Sequence, residues 1–285
     1  MLLILTLGRI SARRFLVLSK ESEVNSGVKK NPYASLNKLW SVGAILLIVF
    51  IWQMICMSGL VESFLLPSPM QVIKAFFTDF SILMQHTRVT LLESIIGLLV
   101  GILFGFIMAV LMDRFQIVYM AFYPLIVLSQ TIPTVAIAPL LVLWFGYEML
   151  PKVILIVLTT FFPIAVGLIT GFRSADPDAV NLMRSMGANR LQIFLYIKVP
   201  GALEHFFSGL KISTTYAVVG AVISEWIGGF EGLGVYMTRV KSAYAFDKMF
   251  AVIFLISILS LILMVLVSLG QKLCMPWEKV RKSEE

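Results

Sequence analysis

The chain has 285 residues, 59% of them hydrophobic and 14% charged, with 23 Lys and Arg against 16 Asp and Glu. That charge content is well below the roughly 25% usual for soluble domains, and the apolar residues gather in runs of about twenty, which excludes an ordinary soluble globule and makes the bilayer the solvent. The net charge of +7 then reads as a surplus of cytoplasmic Lys and Arg, not as a nucleic-acid surface.

Residues 1–38 read as a cytoplasmic basic arm. The opening MLLILTLGRISARRF has a short apolar run, charges after it and no small-residue cleavage pattern, so it makes a poor signal peptide. Six spans follow, at about 39–60, 89–112, 117–145, 151–171, 205–228 and 249–271. With the N-terminus inside, the inner segments hold sixteen Lys and Arg and the outer ones six, Lys152 among them. Both termini are then cytoplasmic, residues 272–285 forming a C-terminal tail. The fold class is an all-α membrane protein.

After the first span, Ser68 can cap a helix that opens at Pro69. Val72, Ile73, Phe76, Phe77 and Phe80 share one face of it, which suits either the outer membrane surface or packing against the bundle. Gly97, Gly101 and Gly105 recur every four residues in the second span and let another backbone approach closely, within the subunit or across an interface. The third run is broken by Pro133 and Pro139. Ser129, Gln130, Thr131 and Thr134 gather at the break, either lining a pathway or repairing freed carbonyls. Glu93, Lys211 and Glu225 are the ionisable residues inside spans, all near span ends from which they can snorkel. Glu225 joins the four polar residues as a candidate for the pathway.

Between the fourth and fifth spans the inner segment of about 174–200 has local order written into it. Asp176 can cap a helix with Pro177 at its first position. The helix runs to about Met186, Gly187 takes the left-handed turn that ends it, and Asn189 caps a second short helix from Arg190 towards Lys198, with Pro200 marking its end. Such a helix–turn–helix can dock in a partner's groove or rest on lipid through Arg184, Arg190 and Lys198. The chain has no G-x-x-x-x-G-K-[ST] phosphate loop, no H-E-x-x-H and no G-x-S-x-G. No ATP site, catalytic residue or metal site is therefore expected in this chain.

The stretch GANRLQIFLYIKVP, with Gly187, Ala188 and Pro200, resembles the cytoplasmic signature of permease subunits in bacterial ABC importers. The family often has Glu-Ala-Ala where this chain has Asn181, Leu182 and Met183. LPSP at 66–69, SQTIPTVAIAPLLVLWFG at 129–146, SGLKIS at 208–213, SEWIGG at 224–229 and GLGVYM at 232–237 extend the resemblance, over about residues 39–272, to the nitrate/sulfonate/taurine subfamily. That subfamily includes permeases for thiamine-pyrimidine precursors and riboflavin, and residues 228–257 are most similar to the thiamine-precursor group.

The resemblance implies a bacterial inner-membrane permease domain at 39–271 working as a homodimer, with cytoplasmic ABC ATPase subunits that bind ATP and Mg and an external solute-binding protein. It makes Met183, Ser185, Met186, Gly187, Ala188, Asn189, Arg190 and Pro200 the ATPase-coupling residues. Two other classes remain open from the residues alone: a self-sufficient carrier or channel, and a membrane-embedded assembly or regulatory protein.

Overall fold

A backbone crossing lipid must satisfy its own polar groups, and in a single chain segment only a helix does so. Every regular element among the described residues is helical. The computed structural model describes residues 33–59, 61–62 and 64–276. Residues 1–32 and 277–285, which hold most of the expected arm and tail, lie outside the described residues.

Residues 1–60 and 61–285 form two compact units. The first contains α1 (Tyr33–Met57), whose apolar part is Gly43–Met57. The second contains α2 (Pro69–Thr78), α3 (Phe80–Arg114), α4 (Gln116–Ser129), α5 (Thr134–Phe145), α6 (Met149–Arg173), α7 (Pro177–Ser185), α8 (Arg190–Ile193), a π-helical turn (Phe194–Lys198), α9 (Val199–Gly228), α10 (Leu233–Ser242) and α11 (Phe246–Cys274).

Four helices among the described residues are long and apolar enough to cross a membrane: α3, α6, α11 and the continuous stretch Arg190–Gly228. The pair α4–α5 qualifies as a fifth only if taken together, and it bends by 99° at the Pro133 break. At 35 residues, α3 is about 52 Å long, well beyond the ~30 Å hydrocarbon core, so it starts earlier than the expected 89–112 span.

α6 and α9 form the centre. Ile156, Ile164 and Leu168 of α6 are buried, as are Ala202, Ser213, Ala217 and Ala221 of α9. The small side chains bring the two backbones together, and Ser213 Oγ donates to the Thr160 carbonyl at 2.7 Å. Gly97, Gly101 and Gly105 do the same for α3 against α6: a Cβ at Gly97 or Gly101 would run into Ile156 or Thr160, and one at Gly105 would crowd Ile164 and the Phe161 carbonyl. Of the two roles open to that glycine row, the structure selects packing within the subunit.

Two sequence expectations are corrected here. Pro200 does not end a helix; it lies in the first turn of α9, and the helix continues to Gly228. The π turn is the reason. Val199 N–H reaches back five residues to the Phe194 carbonyl, and this wider turn takes in a proline that has no N–H to give. Secondly, Glu93 and Glu225 do not snorkel. They are 4% and 1% exposed, and their partners come from helices far away in sequence.

Candidate functional site

The two ends of the α3–α9 packing carry different polar constructions, about 40 Å apart along the continuous helix from Lys198 to Glu225.

At one end stands the segment 174–200. Asp176 accepts from Asp178 N–H at 2.9 Å, with Pro177 in the first turn of α7. Gly187 ends the helix with φ +82°. Its N–H bonds to the Arg184 carbonyl and the Ala188 N–H to the Met183 carbonyl, both at 3.0 Å, the paired bonds of a Schellman turn. Asn189 and Gln192 form a reciprocal capping box at the start of α8 (2.8 and 2.7 Å). Ser185 Oγ is used locally, on the Asn181 carbonyl.

The local caps were therefore legible in the sequence; the anchoring behind them was not. No residue of α7 is buried, and Leu182 and Met186 are exposed, as are Asn189 and Arg190. Just behind this apolar tip the chain is fixed. Ile193 is buried, the Phe194 ring lies 5.1 Å from that of Phe172, and Lys198 Nζ holds both Asp113 oxygens at 2.7 and 2.8 Å. The exposed tip on α7 is thus followed, across the Gly187 turn, by a segment that is fixed to the ends of α3 and α6 and runs on into α9.

At the other end, three side chains cap the start of α10. The first N–H groups of a helix have no partner within it. Here Gly232 N–H donates to His86 Nδ1 (3.0 Å), Leu233 N–H to Thr90 Oγ1 (2.8 Å) and Gly234 N–H to Glu225 Oε2 (2.6 Å). Thr90 Oγ1 in turn donates to Glu225 Oε1 at 2.7 Å. The carboxylate sits where the helix dipole is positive. A Cβ at Gly232, whose φ is +121°, would overlap the Glu225 carboxylate, so glycine is needed there for space as well as conformation. Beside this cap Lys152 Nζ pairs with Glu93 Oε1 at 2.5 Å. Lys152 is 6% exposed; it belongs to the interior and not with the outer-loop charges.

Asp79, between α2 and α3, accepts from Tyr236 Oη at 2.5 Å and pairs with Lys248 at 2.7 Å. Burial alone would push its carboxyl up, but the hydrogen bonds from Lys248 and Tyr236 and the Lys248 charge outweigh it and hold the carboxyl below its ordinary value of 3.8. The stability this lends is present above that ordinary value and is lost as pH falls through the lower folded value. Asp79→Asn is expected to flatten the acid limb of the thermal-midpoint profile, by no more than about 1 kcal/mol. A wild-type and variant profile that run parallel down to pH 3 would remove Asp79 from this role.

The polar cluster of the broken third run lies at the 99° bend. Ser129 Oγ and Thr131 Oγ1 donate to the carbonyls of Ile126 and Leu128 at 2.7 and 2.8 Å, which repairs the break. Gln130 reaches the Leu158 carbonyl at 3.4 Å and stays exposed, as does Thr131. Thr134 opens α5 half-buried. Glu225 is not part of this cluster; both its oxygens serve the α10 cap.

Residues 101–276 match the family model described as binding-protein-dependent transport system inner membrane component. The chain belongs to this family: it is a membrane permease subunit of an ABC transport system. It is 40% identical over 228 residues to a probable ABC transporter permease protein of Haemophilus influenzae, covering 80% of this chain and 92% of that one. It is 37% identical over 235 residues to the formylaminopyrimidine transport permease protein ThiX of Halalkalibacterium halodurans (82% and 94%). With the taurine transport permease protein TauC of Escherichia coli the identity is 28% over 244 residues (83% and 89%). Among solved structures, an amino acid ABC transporter matches with a TM-score of 0.58 at 17% identity, over 70% of this chain and 96% of that one, a likeness of fold.

Proposed function

We propose that the chain forms the solute path of an ATP-driven importer, with α7 and the Gly187 turn as the segment that docks on a separate ATPase. The observation that carries this reading is an exposed apolar tip, Leu182 and Met186, held on a capped turn and anchored through Lys198 and Asp113 to helices that cross the membrane. The chain has no phosphate loop of its own, so the work must enter from outside it. In this reading two copies pair, α1 and the bent α4–α5 pair complete six spans, and residues 39–271 form the permease domain. The protein lies in the bacterial inner membrane, with residues 1–38, the α7–α8 segment and residues 272–285 in the cytoplasm.

Closure of an ATP-bound ATPase pair draws the two tips together. α8 runs without interruption into α9, and the capped Gly187 turn joins α7 to α8, so force on the tip passes through that turn to the span, and the pathway opens outward to take solute from a binding protein. Hydrolysis, with ATP and Mg held by the ATPase, resets it. This is a two-state rigid-body switch. Gln130, Thr131 and Thr134, with Ser129 behind them, offer polar groups to a solute at the bend. A neutral heterocycle is the favoured substrate class: identity is higher to permeases named for formylaminopyrimidine (37%) and riboflavin (32%) than to those named for taurine (28%) and aliphatic sulfonates (26%).

The test is reconstitution in liposomes with an ABC ATPase and a solute-binding protein supplied as separate chains. Gly187→Val places a β-branched side chain at positive φ. It is expected to leave the chain inserted while abolishing ATP-driven uptake, and Gln130→Ala to change uptake kinetics with ATPase association intact. Full uptake by the Gly187 variant would sink the coupling assignment. Solute accumulation by the chain alone would replace the importer with a self-sufficient carrier.

A further inference from the structure

A cavity of about 390 Å³ at the α10 end is floored by the Glu93–Lys152 pair already described. The second cavity, about 540 Å³, has no such account. It opens between the end of α3 and the α7–α8 turn, and Arg114, Arg184, Arg190 and Lys198 line it with Asp113 as the only acid. Lys198 and Asp113 neutralise each other (2.7 Å). The three guanidinium groups have no acid partner among the described residues, so the cavity carries three uncompensated positive charges.

Guanidinium forks match phosphate oxygens in geometry and charge, and the volume is that of a small-molecule site. The wall behind the charges is apolar, with Val110, Ile193 and Phe194. Leu191 in its lining and Phe115, whose ring lies under the Arg114 guanidinium, are half or more exposed and offer a surface to hydrocarbon. We propose that this cavity binds the phosphodiester headgroup of an anionic membrane phospholipid, its acyl chains running over Phe115 and Leu191.

An acidic segment of the ATPase is the competing occupant, and the geometry disfavours it. Of the residues assigned to ATPase coupling only Arg190 lines the cavity, and α7 contributes Val180 and Arg184 to it, but the apolar tip that faces a partner, Leu182 and Met186, does not. The cavity adjoins instead the end of a helix long and apolar enough to span the membrane, where basic pockets recruit lipid headgroups. The proposal rests on the permease reading, with this end at the inner membrane surface. A bound headgroup would tie α7 to α3 and so stiffen the link between tip and span.

The experiment titrates the purified full-length chain in neutral detergent with fluorescent phosphatidylglycerol and, separately, phosphatidylcholine. It is repeated on Arg114→Gln/Arg184→Gln/Arg190→Gln, three exposed positions at which folding is checked by gel filtration and helicity. Phosphatidylglycerol is expected to bind on the order of tenfold more tightly than phosphatidylcholine, and the triple variant to lose that preference. Equal binding of the two lipids, or a preference that survives the triple substitution, overturns the proposal. Displacement of phosphatidylglycerol by millimolar inorganic phosphate assigns the site to a free phosphate and overturns the lipid. No ATPase is present, so the result stands apart from the coupling test.

Discussion

Lys152→Met is expected to destabilise the folded chain by roughly 3–5 kcal/mol, the usual cost of leaving a buried charge without its partner. Lys152 and Glu93 are almost completely enclosed, with side chains 8% and 5% exposed, and their heads meet at 2.5 Å between α6 and α3. Removal of the ammonium leaves Glu93 in an apolar setting, beside a second buried carboxylate at Glu225. The double variant Lys152→Met/Glu93→Gln removes both charges and is expected to recover most of the loss, since a neutral pair of similar shape often replaces a buried ion pair without penalty. Unfolding in a denaturing detergent, followed by tryptophan fluorescence, measures both. A single variant as stable as the wild type would show that the pair contributes no net stability. A double variant as weak as the single one would point to lost shape and not to charge.

The same pair shows what the sequence could and could not reveal. Ser68, Asp176, Gly187 and Asn189 act on groups within a few residues, so their caps are written in local spacing, and each is found in the structure. Glu93–Lys152 and Thr90–Glu225 join residues 59 and 135 positions apart, and no spacing announces such a meeting. Each acid therefore looked like an end-of-span residue free to reach water. SEWIGG and GLGVYM were visible as two family stretches. Only the fold reveals that the acid of the first caps the helix opened by the second, and that Gly232 and Gly234 are small so that the carboxylate can lie against them. At Pro200 the local rule itself gave way, because a π turn just before it changes which N–H is required.

A row of small residues in the fifth span, Gly209, Ser213, Ala217 and Ala221, has the same four-residue spacing as the glycines of α3. Alanine is favoured over glycine inside a helix by about 1 kcal/mol, so glycine-to-alanine changes in α9 should stabilise wherever there is space. Gly201 is exposed with nothing within 4 Å of an added Cβ, and Gly201→Ala is expected to raise the thermal midpoint slightly. At Gly209 the added methyl would collide with the Pro163 carbonyl oxygen and lie 2.9 Å from its carbon. A backbone group fixed in α6 cannot swing aside as a flexible side chain can. Overpacking of this kind costs about 1–3 kcal/mol, enough to reverse the propensity gain. Gly209→Ala is therefore expected to lower the midpoint and to separate α9 from α6, with loss of the Ser213–Thr160 bond one turn further on. Thermal unfolding of the two variants side by side decides it, since the expected shifts have opposite signs. An equal rise in both would mean that α6 and α9 do not approach as closely in the membrane as these positions require.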